Sequence, residues 1–185
     1  MRNIHFALRL LGEAQRRYDS PEWAVAGLAP RTWTGAFGDG GEWMRRAMAI
    51  LRQAAPSTAT PDFAWLGGVK YALACTSALI VVGCAMSLHF IPVLIFCIPA
   101  FYAVEVQMLF LFPLALDHSR GPFVESPVWT QRAGGTLAAM QTVLVLASVM
   151  LSGGFLGKGF IRSWCLGCLA VLIWYEALRA KGGEC

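Results

Sequence analysis

The chain has 185 residues, 57% of them hydrophobic and only 14% charged, with a net charge of +4 and a mean hydropathy of +0.56. An ordinary soluble domain carries roughly 25% charged residues, so this composition excludes that class and predicts an integral membrane protein. The positive excess forms no basic stripe and precedes the first long apolar run, which argues against nucleic acid as a partner and suits anionic lipid headgroups.

Residues 1–11 are broken by Arg2, His5 and Arg9 and lack both a continuous apolar core and a small-residue cleavage site, so no cleaved signal is expected. Residues 1–62 hold eight arginines and six acids and read as a cytoplasmic amphipathic head that does not span. Within it, Ile4, Leu8 and Leu11 recur at helical spacing. Trp43, Ala47, Ile50, Leu51 and Ala54 do the same, with Arg45 and Arg52 on the opposite side. Both stretches read as surface-lying helices, packed on each other as a cap or resting in the inner headgroup layer. Between them Pro21, Gly27, Pro30 and the run Phe37, Gly38, Asp39, Gly40, Gly41 predict irregular backbone, and Pro56 and Pro61 punctuate the approach to the bilayer.

Residues 63–181 read as a bundle of four transmembrane helices at about 67–88, 91–116, 133–151 and 160–178, followed by a short tail at 182–185. Each approaches the ~20 residues that a ~30 Å hydrocarbon core requires, and no alternating ten-residue segments suggest a barrel. The fold class is therefore an all-α integral membrane protein. Residues 87–92 leave room only for a tight hairpin between the first two spans, and Pro92, Pro99 and Pro113 are expected to bend the second. Placing the N-terminus inside puts the eight head arginines, Lys70, Arg120, Arg132, Arg179 and Lys181 on that side and leaves only Lys158 and Arg162 outside. That asymmetry predicts a multi-pass protein of a bacterial-type inner membrane with both termini in the cytoplasm.

A single acid, Glu105, falls near the middle of a span, where a carboxylate is costly and needs a polar partner or a cavity. Gln141, midway along the third span, and Tyr102, one turn before Glu105, are its expected partners. They define a proton-relay or ligand site, or an interhelical hydrogen bond that fixes packing. Glu176 and Lys70, both near inner helix ends, are expected to form an ion pair.

The fourth span carries Cys165 and Cys168 within about two turns of its outer end, with Cys84 and Cys97 at comparable depth beside the hairpin. Two sulfurs at i and i+3 on one helix face could exchange near an oxidising compartment, whereas cysteines in apolar helices commonly act as small hydrophobes. The motif Cys165, Leu166, Gly167, Cys168 and the helix count resemble the four-helix membrane disulfide-generating quinone reductases and their vitamin K epoxide reductase relatives. That resemblance implies a membrane thiol–disulfide oxidoreductase with a quinone acceptor. Those families also use a mobile shuttle pair in an exposed outer segment, and here Cys84 and Cys97 fall inside helices, with the motif on the last span. A metal site built on these cysteines and His89 is not expected, because thiolate ligands usually come in tightly spaced pairs at both ends.

The inner loop 117–132 gathers Asp117, His118, Arg120, Glu125 and Arg132, candidates for a lipid-modifying enzyme or simply a solvated loop anchored by Trp129. No P-loop, GxSxG or histidine-rich oxidase motif appears. Gly134, Gly135, Ala138 and Ala139 are expected to give the third span a small-residue packing face, as Gly68 and Ala72 do for the first. Read from sequence alone, the chain is a subunit or partner of a membrane assembly or a binder of a small hydrophobic ligand around Glu105. No metal or resident cofactor is expected, and quinone enters only with the thiol reading.

Overall fold

A computed structural model describes residues 2–25, 36–58, 61–89, 91–153, 155 and 159–182. It is all-α, with no strand among the described residues. The helices are α1 (Arg2–Tyr18), α2 (Pro21–Val25), α3 (Ala36–Arg52), α4 (Phe63–Ser87), α5 (Cys97–Gln107), α6 (Leu111–Leu116), α7 (Pro122–Arg132), α8 (Thr136–Gly153) and α9 (Phe160–Gly182), with a 3₁₀ turn at Ile91–Phe96. Four stretches are long and apolar enough to cross a bilayer: Phe63–Ser87, Pro92–Leu116, Thr136–Gly153 and Phe160–Lys181. The chain is a multi-pass membrane protein.

Span α4 starts four residues before the expected boundary because the Asp62 carboxylate accepts the Trp65 N–H at 2.9 Å, capping a helix end that would otherwise present bare donors. The second span differs more. Instead of one bent helix it is three pieces: the 3₁₀ turn, then α5, then α6 after a turn at 108–110. Each of its prolines sits in the opening turn of a piece, Pro92 in the 3₁₀ turn, Pro99 in α5 and Pro113 in α6. A missing N–H costs nothing there, so the prolines segment the span rather than kink it.

The 117–132 stretch is not a loop. Most of it is α7, which folds back against the break between α5 and α6. Its Ser126 hydroxyl donates to the Gln107 carbonyl at 2.8 Å and accepts the Phe110 N–H at 3.2 Å, while the Thr130 hydroxyl donates to the Val106 carbonyl at 3.1 Å. Both side chains are fully buried. A helix interrupted inside an apolar layer must have its freed backbone groups satisfied by protein, and these two hydroxyls do it. The expected glycine packing face is also corrected. Gly134 and Gly135 have φ of +109° and +87° and form the turn between α7 and α8, so only Ala138 and Ala139 belong to the helix.

Central to the bundle is α9, the most deeply buried of the four spans, with Cys165, Leu169, Ala170, Leu172, Trp174 and Tyr175 all in the core. One side of α9 is covered by α1, and here the sequence reading is overturned. Ile4 and Leu8 point outward at 48% and 50% exposure, while Ala7, Leu10 and Ala14 are buried against the bundle. Two contacts set α1 antiparallel to α9, Phe6 packing edge-on against Trp174 and Asp19, just past the end of α1, pairing with Arg162 at 2.7 Å, while Asn3 ties α1 to α8 by donating to Gln141 at 2.7 Å. The first helix is therefore built into the bundle. On α3, Trp43 and Ala47 are buried as the periodicity predicts, but the helix also takes in the glycine-rich run at 38–41 that was expected to be irregular. Gly41 is needed there, since a Cβ would collide with the Phe63 ring of α4. Residues 26–35, which include Gly27 and Pro30, lie outside the described residues.

Candidate functional site

The α4–α5 hairpin decides where Glu105 finds its partner. Lys70 and Glu105 lie at nearly equal distances along the chain from the turn at 88–89, so antiparallel packing brings them level. Lys70 Nζ sits 2.9 Å from Glu105 Oε2, with the two side chains only 11% and 19% exposed. The Lys70 ammonium also lies over the Tyr71 and Phe112 rings, 5.5 and 5.9 Å from their centroids, where the ring quadrupoles add attraction. This corrects both expected pairings. Gln141 is occupied by Asn3 of α1, the Tyr102 hydroxyl donates to the Met140 carbonyl at 3.1 Å, and Lys70 does not meet Glu176.

The pair is only half satisfied. Glu105 Oε1 is buried and has no hydrogen-bond partner among the described residues. A carboxylate oxygen left so in a low-dielectric setting carries a desolvation cost that a hydrogen-bond donor would relieve. Glu105 and Lys70 both line a cavity of about 390 Å³ between α3, α4, α5, α6, α8 and α9. Its walls are mostly apolar and rich in rings, including Tyr71, Phe101, Tyr102, Phe112 and Trp164. Trp164, at 45% exposure, stands at its margin.

The two motif cysteines separate. Cys168 borders the cavity, whereas Cys165 is fully buried in the core. All five described cysteines are free thiols, with Cys75 and Cys84 exposed and the Cys97 sulfur 3.8 Å from the Ala78 carbonyl. What the motif contributes structurally is the glycine between its cysteines. A Cβ on Gly167 would run into the Met150 sulfur, so this position lets α8 close on α9 beside the cavity. Sequence reasoning passed over the role of Gly167 and gave Lys70 a different partner. The role of Gly167 is recognisable only once α8 is placed, and the partner of Lys70 follows from counting residues outward from the hairpin turn.

Asp117 and His118 go elsewhere. Both Asp117 oxygens are engaged by the Arg52 guanidinium, at 2.6 and 2.9 Å, and the Tyr175 hydroxyl donates to Oδ2 at 2.7 Å. The same guanidinium reaches Glu176 at 2.5 Å. Burial pushes the Asp117 carboxyl upward, but the hydrogen bonds from Arg52 and Tyr175 and the charges of Arg52 and Arg179 outweigh it, leaving it below its ordinary value. Desolvation likewise opposes the charge on Arg52, and its two carboxylate partners overcome that to raise it. His118, in left-handed backbone at φ +57°, is exposed, with a ring nitrogen 3.3 Å from the Ser57 hydroxyl. Asp117 thus ties α3, α6 and α9 together. No group of three metal-ligating side chains occurs among the described residues. Comparison with known protein families, with characterised proteins and with solved structures finds no match, so the chemistry of the cavity is what a function can be argued from.

Proposed function

We propose that this chain is a multi-pass protein of a bacterial-type inner membrane, with both termini in the cytoplasm, that holds a small hydrophobic molecule around Glu105, by itself or as a subunit of a membrane assembly. The observation that carries the reading is the ring-lined cavity of about 390 Å³ with a largely buried Lys70–Glu105 pair in its wall. Ligand sites are concave, mainly apolar and furnished with a few polar groups that fix orientation, and an ionisable residue inside a membrane span marks such a site more often than it serves packing alone. Thiol–disulfide chemistry with a quinone has weaker support, because only Cys168 borders the cavity and Cys165 is fully buried.

The test is occupancy. Protein purified in mild detergent should release a bound small molecule, detected by native mass spectrometry. Ala147→Phe, which fills the cavity from α8, should abolish that loading while leaving the helical circular dichroism unchanged. Equal loading of folded wild type and variant, or none in either, would overturn the reading.

A further inference from the structure

We infer that the cavity selects an uncharged, membrane-soluble molecule with a hydroxyl or N–H donor on a ring-bearing body, the donor docking on Glu105 Oε1; this rests on the ligand-binding reading above. The charge of the site fixes the first property. Lys70 and Glu105 already neutralise each other at 2.9 Å. An anionic or cationic guest would leave one uncompensated charge in a low-dielectric pocket, which is far costlier than admitting a neutral one.

The hydrogen-bond inventory fixes the second. Glu105 Oε2 is taken by Lys70, Oε1 is buried with no partner among the described residues, and the Tyr102 hydroxyl is spent on the Met140 carbonyl. The unmet need is for a donor. A hydroxyl is especially well matched, since it can donate to Oε1 while accepting from the Lys70 ammonium, whose three donors are not exhausted by one carboxylate oxygen. The walls fix the third. Rings from α4, α5, α6 and α9 face the cavity, and aromatic surfaces favour offset or edge-on packing against another ring. The cavity is not sealed from the outside of the bundle, since Trp164, which lines it, is half-exposed.

The experiment uses the full chain in lipid nanodiscs, with empty discs to subtract partitioning, and three probes sharing one ring system: 1-naphthol, its methyl ether and 1-naphthoate. Titration calorimetry should show naphthol binding on the order of tenfold tighter than the ether, the factor that a hydrogen bond to a charged acceptor is worth, and naphthoate weakest. The double substitution Lys70→Met with Glu105→Leu should erase the naphthol preference while retaining ether binding, with a melting curve to establish that it folds. If that variant does not fold, the wild-type ranking of the three probes still decides. Equal binding of naphthol and ether would overturn the donor requirement while leaving the cavity a ligand site. Preference for naphthoate would overturn the uncharged class, and no binding by any probe would overturn both this inference and the reading beneath it.

Discussion

Two sets of partly buried charges lie in this bundle, and they are finished differently. Around Asp117, one guanidinium serves two carboxylates, a tyrosine hydroxyl adds a further donor, and Arg179 stands 3.9 Å away. At Glu105, one ammonium serves one carboxylate oxygen, and the other oxygen is buried without a partner among the described residues, on a side chain that lines the cavity. The first arrangement uses its polar groups to lock three helices together. The second leaves one carboxylate oxygen without a protein partner in the wall of a cavity, where a protein selected only for stability would place packed hydrocarbon. Full satisfaction marks a clamp, and partial satisfaction next to a cavity marks a site.

The largest effect expected from this contrast is at the clamp. Arg52→Met would leave Asp117 and Glu176 facing each other across an apolar side chain. Their exposures of 19% and 25% place them between surface pairs, worth about 0–1 kcal/mol, and fully buried ones, whose breakage costs about 3–5 kcal/mol. A loss of about 2–3 kcal/mol is expected from denaturant unfolding in detergent. A loss below about 0.5 kcal/mol would remove the distinction between the two sites.

Acid should act on the clamp next. The folded-state value of Asp117 lies below its ordinary 3.8, so the unfolded chain binds the proton more readily. Its contribution is therefore complete above 3.8 and disappears as the pH falls through the lower folded value. Comparing wild type with Asp117→Asn from about pH 5 to about pH 3, the stability gap between them should narrow by about 1 kcal/mol or less. A gap that widens toward acid would mean that Arg52 and Tyr175 do not hold the charged form.

How these regions read in sequence follows the same division. The spans were legible because apolar length is a property of the segment itself, and Glu105 was legible because a lone acid stands out within one. Its partner was missed because a position midway along the third span suggested Gln141, whereas pairing depends on hairpin register and on α1 claiming Gln141 first. The α1 stripe misled for a related reason. Ile4 and Leu8 outrank Ala7 and Ala14 in hydrophobicity, but the inner face of α1 is the one carrying Ala7, Leu10 and Ala14, where the two alanines allow close approach to the bundle, and Ile4 and Leu8 are left outward. The break in the second span was half visible. Its prolines announced a disturbance, but the stabilising hydroxyls of Ser126 and Thr130 lie in a stretch whose polarity looked like a loop.

The smallest expected effect is the most informative for the comparison. Replacing Lys70 by Met together with Glu105 by Leu removes both charges at once, so no ion is stranded, and it also removes the unpartnered Oε1. Exchanging a buried pair for apolar groups of similar size is often neutral or stabilising, because the desolvation cost of the ions goes with their attraction. Unfolding should therefore change by less than about 1 kcal/mol, in either direction, while Lys70→Met alone, which strands Glu105, should cost clearly more. A near-neutral double substitution would mean that the pair contributes little to holding α4 on α5, where hydrocarbon contact suffices, and that its retention has to be explained by what enters the cavity. A double substitution as costly as Arg52→Met would instead make Lys70–Glu105 a second clamp, and the difference between the two regions would collapse.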